Sequence, residues 1–283
     1  MQDYFSRSRL LLGEDSMDRL ARARVAVFGL GGVGGYVCEA LARSGVGHLE
    51  LTDADRVAPS NLNRQIIATM DTVGRLKTEV MAERIRSISP GAETVLHETF
   101  VLPENVNSFP FETYDYVVDA VDTVAAKLAL IQRARDTGVP LISAMGAGNK
   151  LDPTRFRVGD LFETRMDPLA RVLRRECRKR GIDHLKVVYS EEEPLSPLGE
   201  AAEEEPVSPQ GEAAGAVEPG SAPRSPRRRS TPGSLAFVPS VMGLIIAGEV
   251  VRDLIGASRL HLHFTKCLTF VQSCARISHV ERS

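Results

Sequence analysis

Several groups of residues in this chain have the types and spacing for phosphate chemistry. Gly29, Gly31, Gly32 and Gly34 fall within Gly29-Leu30-Gly31-Gly32-Val33-Gly34-Gly35, a turn that can bring backbone N–H groups against a phosphate at the start of a helix. Asp53 follows about 20 residues later, the position from which a carboxylate bonds a ribose hydroxyl. Asp55 stands beside it. Asn61, Arg64 and Gln65 lie in the loop Asp55 to Gln65, which is too polar and too broken by Pro59 for a strand. Lys77 opens the next helix, where a cation runs against the helix dipole and calls for an anionic partner. Asp122 closes the run Asp119-Ala120-Val121-Asp122 at the end of an apolar strand, and strand ends of this kind face the ligand crevice of an open parallel sheet. The glycine turn and its acid alone admit NAD, FAD or ATP.

These residues need a scaffold of alternating strands and helices, and the chain has the pattern for one. The run Val25–Phe28 reads as a strand before the turn, and His48 to Asp53 as a second strand. A helix is predicted over Gly74 to Ser89, with Leu76, Val80, Met81, Ile85 and Ile88 on one face and Pro90-Gly91 ending it. Thr94 to Phe100 alternates like a strand. Tyr114 to Val121 reads, despite Asp115 and Asp119, as an apolar run of the kind buried on both faces, and Ala125 to Asp136 as a helix. Pro140 to Met145 adds a strand that runs into a glycine-rich turn, Gly146 to Pro153. Ahead of all this, residues 7 to 23 form one short helical arm carrying Leu10, Leu11, Leu12, Met17 and Leu20. The fold class is therefore α/β, with a doubly wound, mostly parallel sheet.

Composition sets the limits. With 283 residues, 43% hydrophobic and 25% charged, the chain suits a soluble globular protein with one large α/β core or one and a half domains. A net charge of −2 neither requires nor excludes nucleic acid. Cys38, Cys177, Cys267 and Cys274 form no C-x-x-C pair, which fits a reducing, cytoplasmic setting and suggests no zinc site. The N-terminus lacks the apolar core of a secretory signal. The run Leu235 to Ile255 contains Pro239, Glu249, Arg252 and Asp253 and reads as a buried helix rather than a membrane span. It carries Val241, Leu244, Ile245 and Val250, with Gly243 and Gly248 allowing close packing. Residues 190–233 hold half of the sixteen prolines, with acidic and basic clusters, and read as a low-complexity insertion. The expected organisation is a nucleotide-binding domain over 1–189, the insertion over 190–233, and a core helix and tail over 234–283 completing the same domain, with further strands between Leu260 and Val280. From Arg155 the pattern weakens until a basic helix, Pro168 to Gly181, whose Arg171, Arg174, Arg175 and Arg178 share one face. That face is either a solvated one or a surface for nucleic-acid phosphates, with Arg165, Lys179 and Arg180 beside it.

Taken together, Gly29-x-Gly31-Gly32-x-Gly34, Asp53-x-Asp55, Ser60-Asn61-x-Asn63-Arg64-Gln65, Gly74-Arg75-x-Lys77 and Asp119-Ala120-x-Asp122 resemble an ATP-adenylating domain. It is the one shared by the E1 ubiquitin-activating, molybdopterin-synthase-activating and thiamine-thiocarboxylate-activating enzymes. Within that superfamily the chain resembles the tRNA threonylcarbamoyladenosine dehydratase group. The resemblance rests on Phe5-Ser6-Arg7 to Gly13, Ser143-x-Met145-Gly146 to Pro153, Val187-Val188-Tyr189-Ser190 and Phe237-Val238-Pro239-Ser240 to Gly248.

The resemblance implies a Rossmann-like, E1-like fold that uses ATP and Mg²⁺. It implies Asp53 on the ribose, Arg64 and Lys77 on the triphosphate, Asp122 on Mg²⁺, and Arg7 reaching the ATP of the partner protomer in a homodimer. The implied reaction is ATP-dependent dehydration of N6-threonylcarbamoyladenosine at position 37, in the anticodon loop of tRNA, through adenylation of its carboxylate. Such a reaction needs cations in place for the departing pyrophosphate. Two alternatives stand beside it. One is adenylation of the C-terminus of a ubiquitin-like sulfur carrier, with a sulfur-transfer protein as partner; the missing C-x-x-C pairs and nucleophile motif weigh against it. The other is an NAD-dependent dehydrogenase or NAD-sensing module, for which Arg64, Lys77 and the Asn61 loop are superfluous. Cys177, in the basic helix, reads as an incidental thiol.

Overall fold

The computed structural model describes residues 4–196 and 232–257. Among these residues seven strands form one sheet, built around β1 (Arg24–Phe28). β1 pairs in parallel with β2 (His48–Thr52) on one side and β4 (Tyr116–Asp119) on the other. Outward from β2 lies β3 (Glu93–His97), and outward from β4 lie β5 (Leu141–Ala144) and β7 (Lys186–Ser190), all parallel. The edge strand β6 (Phe156–Asp160) runs antiparallel to β7. The chain thus winds one way from β1 to β3 and the other way from β4 onwards, which leaves a crevice at the carboxyl ends of β1 and β4.

Burial explains why each strand sits where it does. β4 is buried at all four positions because helices cover both faces: Tyr116 and Val118 join one core, Val117 another. The first face is covered by α3 (Gly34–Arg43), α4 (Lys77–Ile88) and α7 (Phe237–Leu254), and the second by α5 (Val124–Thr137) and α6 (Pro168–Lys179). β6 escapes notice in the sequence because Arg157 and Val158 are both exposed, so an edge strand covered on one side shows no clean alternation.

Two further expectations need correcting. The N-terminal arm is two helices, α1 (Ser6–Leu12) and α2 (Glu14–Arg22), because Gly13 breaks the helix at φ 79°. In α7 the inward face is Val238, Met242, Ile246 and Val250, whereas Leu244 is exposed. Gly243 does permit close packing, since a Cβ there would stand 2.5 Å from the Val33 carbonyl oxygen of α3, but Gly248 faces open space. Among the described residues no helix is long and apolar enough to cross a membrane. The expected strands between Leu260 and Val280, and most of the 190–233 insertion, lie outside the described residues.

Candidate nucleotide site

The glycine turn occupies the crevice where the sheet reverses direction. Gly29 leaves β1 at φ 90°, and a Cβ on it would stand 2.7 Å from the Ala120 carbonyl at the end of β4. A Cβ on Gly34 would collide with the Gly29 carbonyl. These two glycines let the turn fold against the neighbouring strand. A Cβ on Gly32 would stand 3.2 Å from Pro239 at the start of α7, so that helix buttresses the turn. Gly31 differs: the nearest atom to a Cβ there is Gln65 Nε2 at 4.0 Å, which leaves its backbone open to an approaching ligand.

Asp53 is fixed under the turn, its Oδ2 accepting from Leu30 N (2.6 Å) and its Oδ1 from Asp55 N (2.8 Å). Lys77 Nζ, itself buried, lies 2.7 Å from Asp55 Oδ2 and 3.9 Å from Asp53 Oδ1. Burial pushes the Asp53 carboxyl above its usual range, against the opposing pull of the Lys77 ammonium and the backbone N–H donors. The first turn of α4 therefore carries its lysine because two carboxylates surround it, and this cluster is the anionic partner its position called for.

The 55–65 loop folds over the other side of the turn. Asn61 braces that loop, its Oδ1 accepting from Ala58 N (3.1 Å). Arg64 lies against Gly32 and donates to the Ser60 carbonyl (2.8 Å) and Asn63 Oδ1 (3.0 Å). Gln65 is buried, and among the described residues its Oε1 has no hydrogen-bond partner. A buried acceptor without a donor is costly, and beside the open Gly31 it suits a hydroxyl or amino group of a nucleoside. The residues present fit a nucleotide.

The structure does not bring every expected residue together. Asp122 is exposed in the loop just past β4, on the crevice side of the sheet. Arg7 is exposed on α1, and the ring of nearby Phe5 packs 3.8 Å from a Cβ on Gly45, at the far end of α3 from the glycine turn. That separation is about 15 Å along the helix. Arg7 is therefore outside the crevice of its own chain.

One residue escaped the sequence reading. Lys127 is fully buried in α5, with Nζ 3.1 Å from both carboxylate oxygens of Asp119, 2.8 Å from the Ala144 carbonyl and 3.3 Å from Ser143 Oγ. Ser143 Oγ also donates to Asp119 Oδ2 (2.6 Å). This cluster ties the ends of β4 and β5 to α5. Its signal was available: Lys127 shares a helix face with the buried Leu130, Ile131 and Ala134, and a lysine on such a face demands a carboxylate.

The basic face of α6 also needs correcting. Arg174 turns inward and donates to the carbonyls of Leu161 and Thr164 and to Thr164 Oγ1. Arg178 covers the Phe162 ring at 5.5 Å. Arg175, Lys179 and Arg180 cluster on Glu176, whose carboxyl they hold down to about 2. Among the described residues only Arg171 of the four arginines makes no side-chain hydrogen bond, ion pair or ring contact. Cys177 is in the core under α6 and Cys38 in that of α3, and burial pushes both thiols up, away from the reactive thiolate.

Comparison with known proteins agrees with this geometry. A model of the ThiF family matches residues 5–278. The tRNA threonylcarbamoyladenosine dehydratase of Bacillus subtilis is 40% identical over 257 residues, 90% of this chain and 96% of that one. The Escherichia coli protein of the same name is 45% identical over 174 residues, 62% of this chain and 65% of that one. The crystal structure of E. coli tRNA N6-threonylcarbamoyladenosine dehydratase in complex with ATP matches with a TM-score of 0.76 at 32% identity, covering 90% of this chain and 95% of the other.

Proposed function

The chain belongs to the ThiF family, and from that premise we propose that it is an enzyme that uses ATP to dehydrate N6-threonylcarbamoyladenosine in tRNA. The observation that carries the proposal is likeness to the Bacillus subtilis dehydratase along nearly the whole of that protein. The crevice supplies the physical support: an open glycine turn, a buried carboxylate and lysine beneath it, and an unpaired Gln65 oxygen beside it. We take the substrate to be position 37 in the anticodon loop and the location to be the cytoplasm.

Residue roles follow from chemistry. Backbone N–H groups of the turn and the start of α3 face the phosphates. Asp53, fixed by two N–H donors and already partly desolvated, accepts from a ribose hydroxyl. Lys77 and Arg64 carry the cations that meet charge on the departing pyrophosphate. Asp122 would hold a Mg²⁺, which would supply further charge neutralisation there. Once the threonyl carboxylate has become an acyl-adenylate, an oxygen or nitrogen of its own carbamoyl group attacks the activated carbonyl and AMP leaves. No enzyme nucleophile is required, which agrees with the burial of Cys38 and Cys177.

We further propose that Arg7 serves the site of a second protomer in a homodimer, since α1 presents it away from its own crevice and exposes Leu10 (88%) and Leu11 (83%) beside it. We also take residues 1–189 and 234–283 as one adenylation domain carrying 190–233 as an insertion; the packing of α7 on α3 and on Gly32 supports this. The test is mass spectrometry of nucleosides from modified tRNA incubated with the protein and Mg-ATP. A nucleoside lighter by one water is expected. ATP turnover stimulated by a ubiquitin-like C-terminus and never by modified tRNA would overturn the reading.

A further inference from the structure

A second recess, of about 330 Å³, opens where the loop after β5 meets the segment leading into α7. Asn149, Lys150, Leu151, Leu195, Gly233 and Leu235 line it. None of them has a part in the roles assigned above.

Lys150 is the unusual member. It is only 3% exposed, and among the described residues its ammonium has one hydrogen-bond partner, the neutral Glu192 carbonyl at 2.9 Å. Two carboxylates lie in its surroundings, but their oxygens are engaged elsewhere: Asp167 accepts from Gly146 N and Ala170 N, and Glu192 from Leu151 N and Asp152 N. Among the described residues Lys150 forms no ion pair. An ammonium has three donors, and one that is buried with a single neutral acceptor is an expensive arrangement unless an anion completes it. Burial also pulls its pKa down, against the two carboxylates, which is the direction an arriving anion would reverse.

The recess is joined to the nucleotide site by a short piece of chain. Asn149, in the left-handed region at φ 58°, exchanges two 2.7 Å hydrogen bonds with Gly233 and accepts from Leu195 N (2.8 Å). The next residue, Ser234, accepts from Asn63 Nδ2 (3.0 Å), beside Arg64. Pro239 then rests on Gly32. The span from Gly233 to Pro239 is at most about 20 Å, well within the footprint of an RNA stem-loop.

We infer that this recess receives an oxyanion of the tRNA substrate, with Lys150 as its cation and Leu151, Leu195 and Leu235 as its apolar rim. The inference rests on the function proposed above. The oxyanion is the threonyl carboxylate or a neighbouring backbone phosphate, two sources that experiment separates.

The test uses the full chain with Lys150→Met, which keeps length and removes charge, and Leu151→Glu, which places an acid on a rim position that is 54% exposed and so should not disturb folding. Both variants should raise KM for modified tRNA by about tenfold, the loss expected for one charge-assisted contact, and leave KM for ATP unchanged. Equal loss of affinity for unmodified tRNA identifies a phosphate; loss confined to modified tRNA identifies the carboxylate. If Lys150→Met melts early or no longer binds ATP, Leu151→Glu decides alone. Unchanged tRNA affinity and KM in Leu151→Glu, or in a folded Lys150→Met, would overturn the inference. Should the wild type bind tRNA without dehydrating it, the proposed function falls, and the binding comparison still decides the recess.

Discussion

The two β-α units that meet at the centre of the sheet end in opposite ways. Around the turn that leaves β1, polar groups from the chain after β2 are incompletely satisfied: among the described residues Gln65 Oε1 has no donor, the Gly31 backbone is open, and Lys77 is shared between Asp55 and a more distant Asp53. After β4 the polar groups of the buried cluster all have partners, because Lys127, Asp119, Ser143 and the Ala144 carbonyl answer one another. Both sides of the crevice hold a buried lysine near a carboxylate, yet one is arranged to exchange partners and the other to keep them. A buried charge therefore reports function through what its neighbours leave unfilled, and burial alone does not distinguish the cases.

Breaking each side should give different readouts. The largest effect is expected for Lys127→Met, which leaves Asp119 buried without its cation. Denaturant unfolding should show a loss of about 3–5 kcal/mol, and a loss below about 1 kcal/mol would mean the cluster is not the clasp described. Lys77→Ala should act on ligand instead. Calorimetry should find Mg-ATP bound roughly ten- to a hundredfold more weakly, as for a lost charge-assisted bond, and unaltered affinity would remove Lys77 from the site.

A pH series sharpens the contrast further. Because burial raises the Asp53 pKa in the folded protein, the native state binds a proton more tightly than the unfolded chain, so stability falls as pH rises from the ordinary carboxylate value through the raised one. Thermal melts of Asp53→Asn should lack that decline, and parallel curves for variant and wild type would contradict it. The smallest effect is expected on α6. Arg171→Glu should lower the slope of log affinity for tRNA against log salt by about 0.7 to 0.9, one phosphate contact, with stability unchanged, whereas Arg174→Ala should reduce stability because its guanidinium is bonded to the Leu161 and Thr164 carbonyls.

Local sequence carried the scaffold well wherever burial was two-sided. The runs that became β1, β4 and β5, and the periodic stretch that became α4, were readable because apolar spacing and burial coincide there. The edge strand β6 was not, since half of it faces water. Glycine spacing and the acid of Asp53 pointed to the nucleotide crevice, but Lys127 and Lys150 show their meaning only when strands distant in sequence are brought alongside. The arginines of α6 misled for the converse reason: helical periodicity placed them on one face, while Thr164, Phe162 and Glu176, which engage them, were invisible to that periodicity.

The bonds of Asn149 have a consequence for how this chain can vary. Its backbone carbonyl holds Leu195 and its side chain and amide hold Gly233, so a single residue gathers the two ends of a long stretch of sequence at one point. What lies between those ends can lengthen or shorten while the ends stay put, because closing a loop costs only about 0.6 kcal/mol more for each doubling of its length. Asn149 thus separates the geometry of the crevice from the length of the sequence between Leu195 and Gly233. A change in the length of that stretch should leave the crevice in place so long as an asparagine able to adopt the left-handed conformation remains at position 149.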